Sequence, residues 1–403
     1  MHLFSARDWD RSGWLRLAAL ALLCCLAYAP MLGIPLIEDD YPSLTQAQVL
    51  GAPTHIGDLL LHSAFQARAT SVWCMYLLWK AVKLTPWVYH AVSLVLHILN
   101  TWLVYLLCGA WTRMRPAAFW AAAFFAVAEG HQEAILWFTA INELWMFLFG
   151  ATALLFWRRG HWMGIPCFAL ALLSKESAVI FLPLFFLVAP SRDWRRWLPY
   201  LLLAAAMVTS IVLGRSFRFS DGSFSLRAPF WITWPRGVGR ILWIWGWISA
   251  GVIWFRKDPK VRSAALAAVV WIVVALIPYI FLTYSTQIPS RQTYLASVGL
   301  AMLAGLAISV LDRRAVVFLA TAMLVHNVGY LWVKKRSQFL ERAAPTEQLI
   351  ALARHTSGPI WVQCFPRIPW IAEEAVHLGA GKPPSILRWN RPDGAAATFC
   401  YQK

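Results

Sequence analysis

The chain has 403 residues, of which 60% are hydrophobic and 14% charged. A soluble domain of this length would carry roughly a quarter charged residues, so composition excludes a soluble globular enzyme and indicates a polytopic membrane protein. The formal net charge is +17. Its Lys and Arg sit in short connections between apolar runs, which fits membrane topology and anionic lipid and gives no sign of nucleic acid as a partner.

In chain order, Arg7, Arg11 and Arg16 precede an apolar run from Leu17 to Leu32. The run resembles a signal peptide, and Ala27-Tyr-Ala29 mimics a cleavage site. Pro30 would follow the cut, so a retained first span is expected. Apolar runs near bilayer length predict spans at about 14–33, 87–110, 117–129, 134–157, 162–173, 178–190, 197–214, 238–255, 263–284, 294–311 and 314–332. Residues 34–86 form a long first loop. Within it, "LLLHSAF" and "SVWCMYLLWKAV" read as amphipathic or re-entrant helices. The tail reads as helix (346–355), strand (359–365), helix (369–378) and strand (385–389). The expected fold is all-α and polytopic, with about eleven transmembrane helices over 1–339 and a small α/β appendix at 340–403.

The N-terminal arginines, "WTRMR", "RRGH", "SRDWRR", "RKDPKVR" and "DRR" fall at alternate connections. The positive-inside rule places them in the cytoplasm. The opposite face then collects "EDD" (38–40), "AEGHQE" (128–133), "SKES" (174–177), the loop 215–237 and "STQIPSRQTY" (285–294). Eleven spans then leave the C-terminus on that same outer face. Basic residues 215, 218, 227, 236 and 334–336 run against that rule and suggest an anionic ligand. Five cysteines (24, 25, 74, 108, 167) lie in or beside apolar runs and read as packing. Cys364 and Cys400 lie in the polar tail, where an oxidising compartment would let them pair.

Three acids at 38–40 exceed what capping one helix requires. A carboxylate there can deprotonate an acceptor hydroxyl. His90, Ser93, His97 and Asn100 share one helix face, which must meet protein or a wet cavity. Interhelical hydrogen bonding would satisfy the same stripe. His131 and Glu133 can hold a divalent cation with a third ligand, or stand as solvated loop residues. Glu143 lies deep in an apolar segment and needs a partner. Lys175 and Glu176 form an adjacent opposite pair that can equally cap a helix. Arg291 and Tyr294, at i and i+3, open a span, and Arg291 suits either a phosphate or an interfacial anchor.

Together these stretches resemble the GT-C fold membrane glycosyltransferases, nearest the transmembrane O-mannosyltransferases that carry tetratricopeptide repeats and their bacterial relatives. Protein O-mannosyltransferases and the lipid A aminoarabinose transferase are more distant. The matching segments are "EDDYPSL", "YHAVSLVLHILN", "FAVAEGHQEAILWFTAINEL", "LLSKESAVIFLPL" and "SRQTYLASVG", in order over most of 30–300. The resemblance implies Asp39 or Asp40 as general base, Lys175, Arg291 and Tyr294 at a donor phosphate, and His131 and Glu133 beside a metal. His90, His97, Asn100, Glu143 and Glu176 would be supporting polar groups. Ile141 stands where the family has Arg, Glu143 where it has Asp, Ser290 where it has Glu and Ala296 where it has Pro. The repeats are missing.

The implied reaction is inverting transfer of a sugar from a polyprenyl-phosphate-linked donor to a glycan, lipid or protein acceptor. One rival is a polymerase or ligase of undecaprenyl-diphosphate glycans, which would rely on outer Arg or His more than on a first-loop Asp. Another is a secondary transporter, which predicts internal repeats and midplane charges. A non-catalytic membrane protein on the same scaffold is the last.

Overall fold

A computed structural model describes residues 11–62, 65–213, 222–390 and 394–402. Arg7, Arg215 and Arg218 lie outside the described residues. Seven helices are long and apolar enough to cross a membrane, and four shorter apolar ones accompany them. They fall one for one on the predicted spans, and the chain is a multi-pass membrane protein. Two ends differ most from expectation. The helix predicted from 238 begins at Phe230, because the charge of Arg236 masks its first turns in a hydropathy reading. The last span does not stop near 332. Helix Arg313–Tyr330 runs through a π-turn, Leu331–Lys335, into helix Arg336–His355. The boundary expected at 339/340 falls inside that continuous rod.

The centre of the bundle is the crossing of helix Arg115–Val127 with helix Ser297–Ser309. Small residues let them touch: Ala117, Ala118, Ala121 and Ala122 are buried against the later helix. A Cβ at Gly305 would collide with the Ala117 carbonyl and the Ala121 N–H, so only glycine fits there. Both helices are too short to span a hydrocarbon core of about 30 Å alone. Each ends in an irregular polar turn, Glu129–His131 and Ser290–Thr293. Backbone of that kind is tolerated at membrane depth only when protein or a cavity surrounds it, and the two turns pack on each other.

The first loop holds helices Asp40–Leu50, Ile56–Leu61 and Ala69–Val82. The last two answer to the expected amphipathic segments. Ile34, Leu36, Ile37, Tyr41 and Leu44 anchor the loop by burial, and the His90 imidazole donates to the Ile34 carbonyl (2.9 Å).

The tail is a three-stranded parallel sheet, β1 (Ile360–Cys364), β2 (Leu387–Arg388) and β3 (Ala397–Cys400), in the order β2-β1-β3. Helix Pro369–Ala380 covers it. β3 was not foreseen. Cys364 and Cys400, opposite each other in β1 and β3, are disulfide-bonded with Cα atoms 4.5 Å apart. The tail docks on the first loop. Thr45 donates to Glu374 at 2.6 Å, and the Tyr41 hydroxyl to Glu347 at 3.1 Å.

Candidate active site

The three first-loop acids point to three different environments. Glu38 has φ of 47°, a left-handed conformation that costs a side-chain-bearing residue energy and turns the chain sharply. Its carboxylate is taken by the tail: Arg342 grips it through Nε (3.0 Å) and Nη2 (2.8 Å), and Arg367 through Nη2 (2.5 Å). Burial pushes the Glu38 carboxyl up, but these two arginines outweigh it and hold it below the ordinary range.

Asp40 is fully buried, and both its oxygens are hydrogen-bonded. Its Oδ2 accepts from the Ile37 N–H (2.9 Å), and its Oδ1 from the N–H and hydroxyl of Thr139 (2.7 and 2.8 Å). Burial pushes its carboxyl up to about 7, against the pull of those hydrogen bonds. Asp39 differs. It is exposed, and no hydrogen bond holds its side chain among the described residues. Burial raises it first and Glu38 second, while Arg291, Arg342 and Arg367 draw it back down. Asp39 is therefore an uncommitted carboxylate facing three guanidinium groups.

Arg291 comes from the turn Ser290–Thr293. Its N–H donates to Glu133 (3.2 Å), and its guanidinium lies 3.7 Å from the same carboxylate. Arg291 and Arg342 both lie over the Trp137 ring, at 4.5 and 4.6 Å from its centroid. Such contacts fix a guanidinium plane without consuming its donors.

A second polar cluster lies between helix Ile141–Arg158 and the "SKES" turn. Lys175 forms a buried ion pair with Glu143 and lies over the Tyr279 ring. The Tyr279 hydroxyl also reaches Glu143 (3.3 Å) and Ser177 (2.9 Å). Glu176 is gripped by both terminal nitrogens of Arg68, at 2.5 and 3.2 Å. Where a phosphate contact was expected of Lys175, the structure has the partner that Glu143 required.

Tyr294 is fully buried. Its hydroxyl meets His97 Nδ1 (2.8 Å) and the Asn100 amide (3.3 Å). His97 Nε2 donates to the Ala126 carbonyl (3.1 Å), so in the neutral ring Nδ1 accepts from Tyr294. Within the polar stripe of helix Pro86–Thr112, His97 and Asn100 are thus engaged in hydrogen bonds inside the bundle, while the Ser93 hydroxyl has no partner among the described residues. His131 and Glu133 part company: His131 Nε2 meets Ser297 (2.7 Å) while Glu133 faces Arg291. Their different partners do not form a joint metal donor set. Among the described residues no group of three or more His, Cys, Asp or Glu is placed to hold a metal.

Sequence reasoning missed Arg342, Arg367, Trp137, Thr139 and Arg68. The only signal pointing toward the tail was basic charge after the last span, on the side where the positive-inside rule expects little.

The helical bundle has a GT-C-like fold, as its likeness to solved structures shows. Solved structures give the particular likenesses. The chain is similar to ArnT from Cupriavidus metallidurans bound to undecaprenyl phosphate, with 14% identity over 93% of this chain and 86% of that one, at a TM-score of 0.55. It is similar to the oligosaccharyltransferase AglB from Archaeoglobus fulgidus in complex with an inhibitory peptide and a dolichol-phosphate, with 12% identity, coverage of 93% and 65%, and a TM-score of 0.51. The A. fulgidus oligosaccharyltransferase in complex with Zn and sulfate gives 13%, 92%, 62% and 0.50. The chain spans less than two thirds of the oligosaccharyltransferase. No family model matches the chain, and no curated protein matches it.

Proposed function

We propose that the protein transfers a sugar from a polyprenyl-phosphate donor to an acceptor hydroxyl on the periplasmic face of a bacterial inner membrane. Asp39 is the general base, and Arg291, with Arg342 and Arg367 from the tail, receives the phosphate. The observation that carries this reading is the contrast within the acid pair. Both oxygens of Asp40 are held by protein donors, whereas Asp39 has no protein donor among the described residues and lies in the field of three cations. Its raised proton affinity improves it as a base near neutral pH.

In this reading the acceptor O–H gives its proton to Asp39 as its oxygen attacks the anomeric carbon. The bond from that carbon to the phosphate oxygen breaks, and its electron pair leaves with the polyprenyl phosphate. The guanidinium groups stabilise the departing charge, which needs no proton. A single displacement inverts the anomeric centre. Lys175 and Tyr294 serve as framework here, because Glu143 neutralises the first and the bundle core encloses the second. The tail touches the acid loop, so both lie on one side of the membrane, and a disulfide suits an oxidising compartment.

The test uses the full chain in proteoliposomes with polyprenyl-phosphate labelled in its sugar and an extract of bacterial membranes as acceptor. Label should move to the acceptor while free polyprenyl phosphate appears in equal amount. Donor left intact with every acceptor fraction would contradict the reading.

A further inference from the structure

A cavity of about 380 Å³ lies across the turn Glu129–His131 from the acid cluster. The wall between them is shared. The Gln132–Ser290 hydrogen bond (3.0 Å) faces the cavity, and one residue along each chain Glu133 meets Arg291. Two backbone irregularities converge on this cavity. Helix Phe230–Arg256 breaks at Trp243, whose φ of 28° and ψ of −138° are strained for a bulky residue. The π-turn Leu331–Lys335 brings Lys335 to the opposite side. Irregular backbone in a membrane helix is tolerated where it lines a cavity, and π-turns concentrate at functional sites.

The lining carries opposed charges that are not closed into pairs. Glu129, Arg240 and Lys335 all reach the cavity, yet none forms an ion pair among the described residues. Arg240 donates to the Ile288 carbonyl, which fixes its stem and leaves further guanidinium donors. Gln132 is 3% exposed, and its Oε1 has no hydrogen-bond partner. Exchanging the amide ends would leave the nitrogen alone instead, so one end awaits a ligand on either assignment. Trp243, Trp245 and Tyr330 add aromatic surface. Burial raises the Glu129 carboxyl, with Lys335, Arg240 and His326 pulling it down, so the cations act across the gap.

The geometry points to a second binding site in this cavity, for a saccharide bearing one negative charge, with Arg240 and Lys335 on the anion, Gln132 and Glu129 on its hydroxyls and the aromatic side chains against its ring. The cavity lies between helix Phe230–Arg256 and helix Arg313–Tyr330. Exposed apolar side chains such as Ile244, Trp247 and Val325 give both helices lipid-facing surfaces. The occupant is a free anionic glycan or the headgroup of a glycolipid. The site is separate from the transfer chemistry proposed above, since the shared wall stands between it and Asp39.

The test measures equilibrium binding to the full chain in nanodiscs, without turnover. The probes are octyl glucuronide, free glucuronic acid and, as the neutral control, octyl glucoside. Octyl glucuronide should bind at least about tenfold tighter than octyl glucoside, as expected for charge-assisted hydrogen bonds. Lys335→Gln and Arg240→Gln should each remove most of that preference. Lys335→Gln decides the matter if Arg240→Gln, having lost its Ile288 contact, fails to fold. Binding of free glucuronic acid as well would identify a free glycan as sufficient, and binding of the octyl form alone a glycolipid; either supports the site. Equal binding of charged and neutral octyl glycosides overturns it. So does a charge preference lost in Arg291→Ala but kept in Lys335→Gln. Asp39→Asn should bind octyl glucuronide as wild type does. If Asp39→Asn bound normally and also transferred sugar normally, the general-base assignment of Asp39 would fall and the site would stand.

Discussion

Oδ1 of Asp40 accepts both the N–H and the hydroxyl of Thr139, at 2.7 and 2.8 Å, and so ties the first loop to the turn that follows helix Gln132–Leu136. The neighbouring Asp39 keeps its carboxylate open because Asp40 takes the structural task.

Asp40→Asn should therefore cost stability. The amide sets an NH₂ group against one of the three donors that Asp40 satisfies, and a buried polar mismatch costs about 1–3 kcal/mol. The folded Asp40 carboxyl holds its proton up to about 7 against an ordinary 3.8. Its contribution to stability is greatest at low pH and is lost as pH rises through that window. Thermal unfolding of both proteins between pH 4 and pH 8 checks the sign, since the advantage of wild type over Asp40→Asn should shrink as pH rises.

The buried Lys175–Glu143 pair gives a second prediction. Removing one partner leaves an uncompensated charge in the bundle and should cost about 3–5 kcal/mol. Lys175→Met should lower the unfolding temperature strongly, and Lys175→Met with Glu143→Gln should recover much of the loss. A donor-affinity defect in Lys175→Met without any loss of stability would restore Lys175 to the phosphate.

The clamp on Glu38 should show graded coupling. Arg342 holds the carboxylate by two bonds and is the less exposed partner, whereas Arg367 is 41% exposed. Double-mutant cycles of Glu38→Gln with Arg342→Gln and with Arg367→Gln should give coupling of about 0.5–3 kcal/mol, larger for Arg342.

The tail gives a topological prediction. Alkaline phosphatase fused after Lys403 should be active, and a peptide map without reductant should contain a linked Cys364–Cys400 peptide. Free thiols at both positions in protein purified from the membrane, together with a silent fusion, would put the tail on the cytoplasmic side.

Much of the fold was legible because hydropathy and charge alternation are local signals. The eleven apolar segments and two first-loop helices came from runs of Leu, Val, Trp and Ala whose neighbours in sequence are their neighbours in space. The site was legible only in part. Asp39 and Asp40 are adjacent, and spacing does not say that Thr139 takes one of them. Arg342 lies 304 residues from Glu38, and a contact at that distance leaves no periodic trace. His131 and Glu133 looked like one ligand pair because they are two residues apart. The passage from a 3₁₀ turn into a helix sends one toward Ser297 and the other toward Arg291. β3 escaped because a four-residue strand after the short Gly394–Ala396 run carries too little pattern.

The central claim is that Asp39 removes the acceptor proton. The most direct measurement is the initial rate of sugar transfer by Asp39→Asn in proteoliposomes, normalised to folded protein, beside a photo-crosslinking assay for the donor. The rate should fall about 10²–10⁴-fold, the usual cost of losing a positioned base, while donor crosslinking stays at the wild-type level. A transfer rate near that of wild type would contradict it.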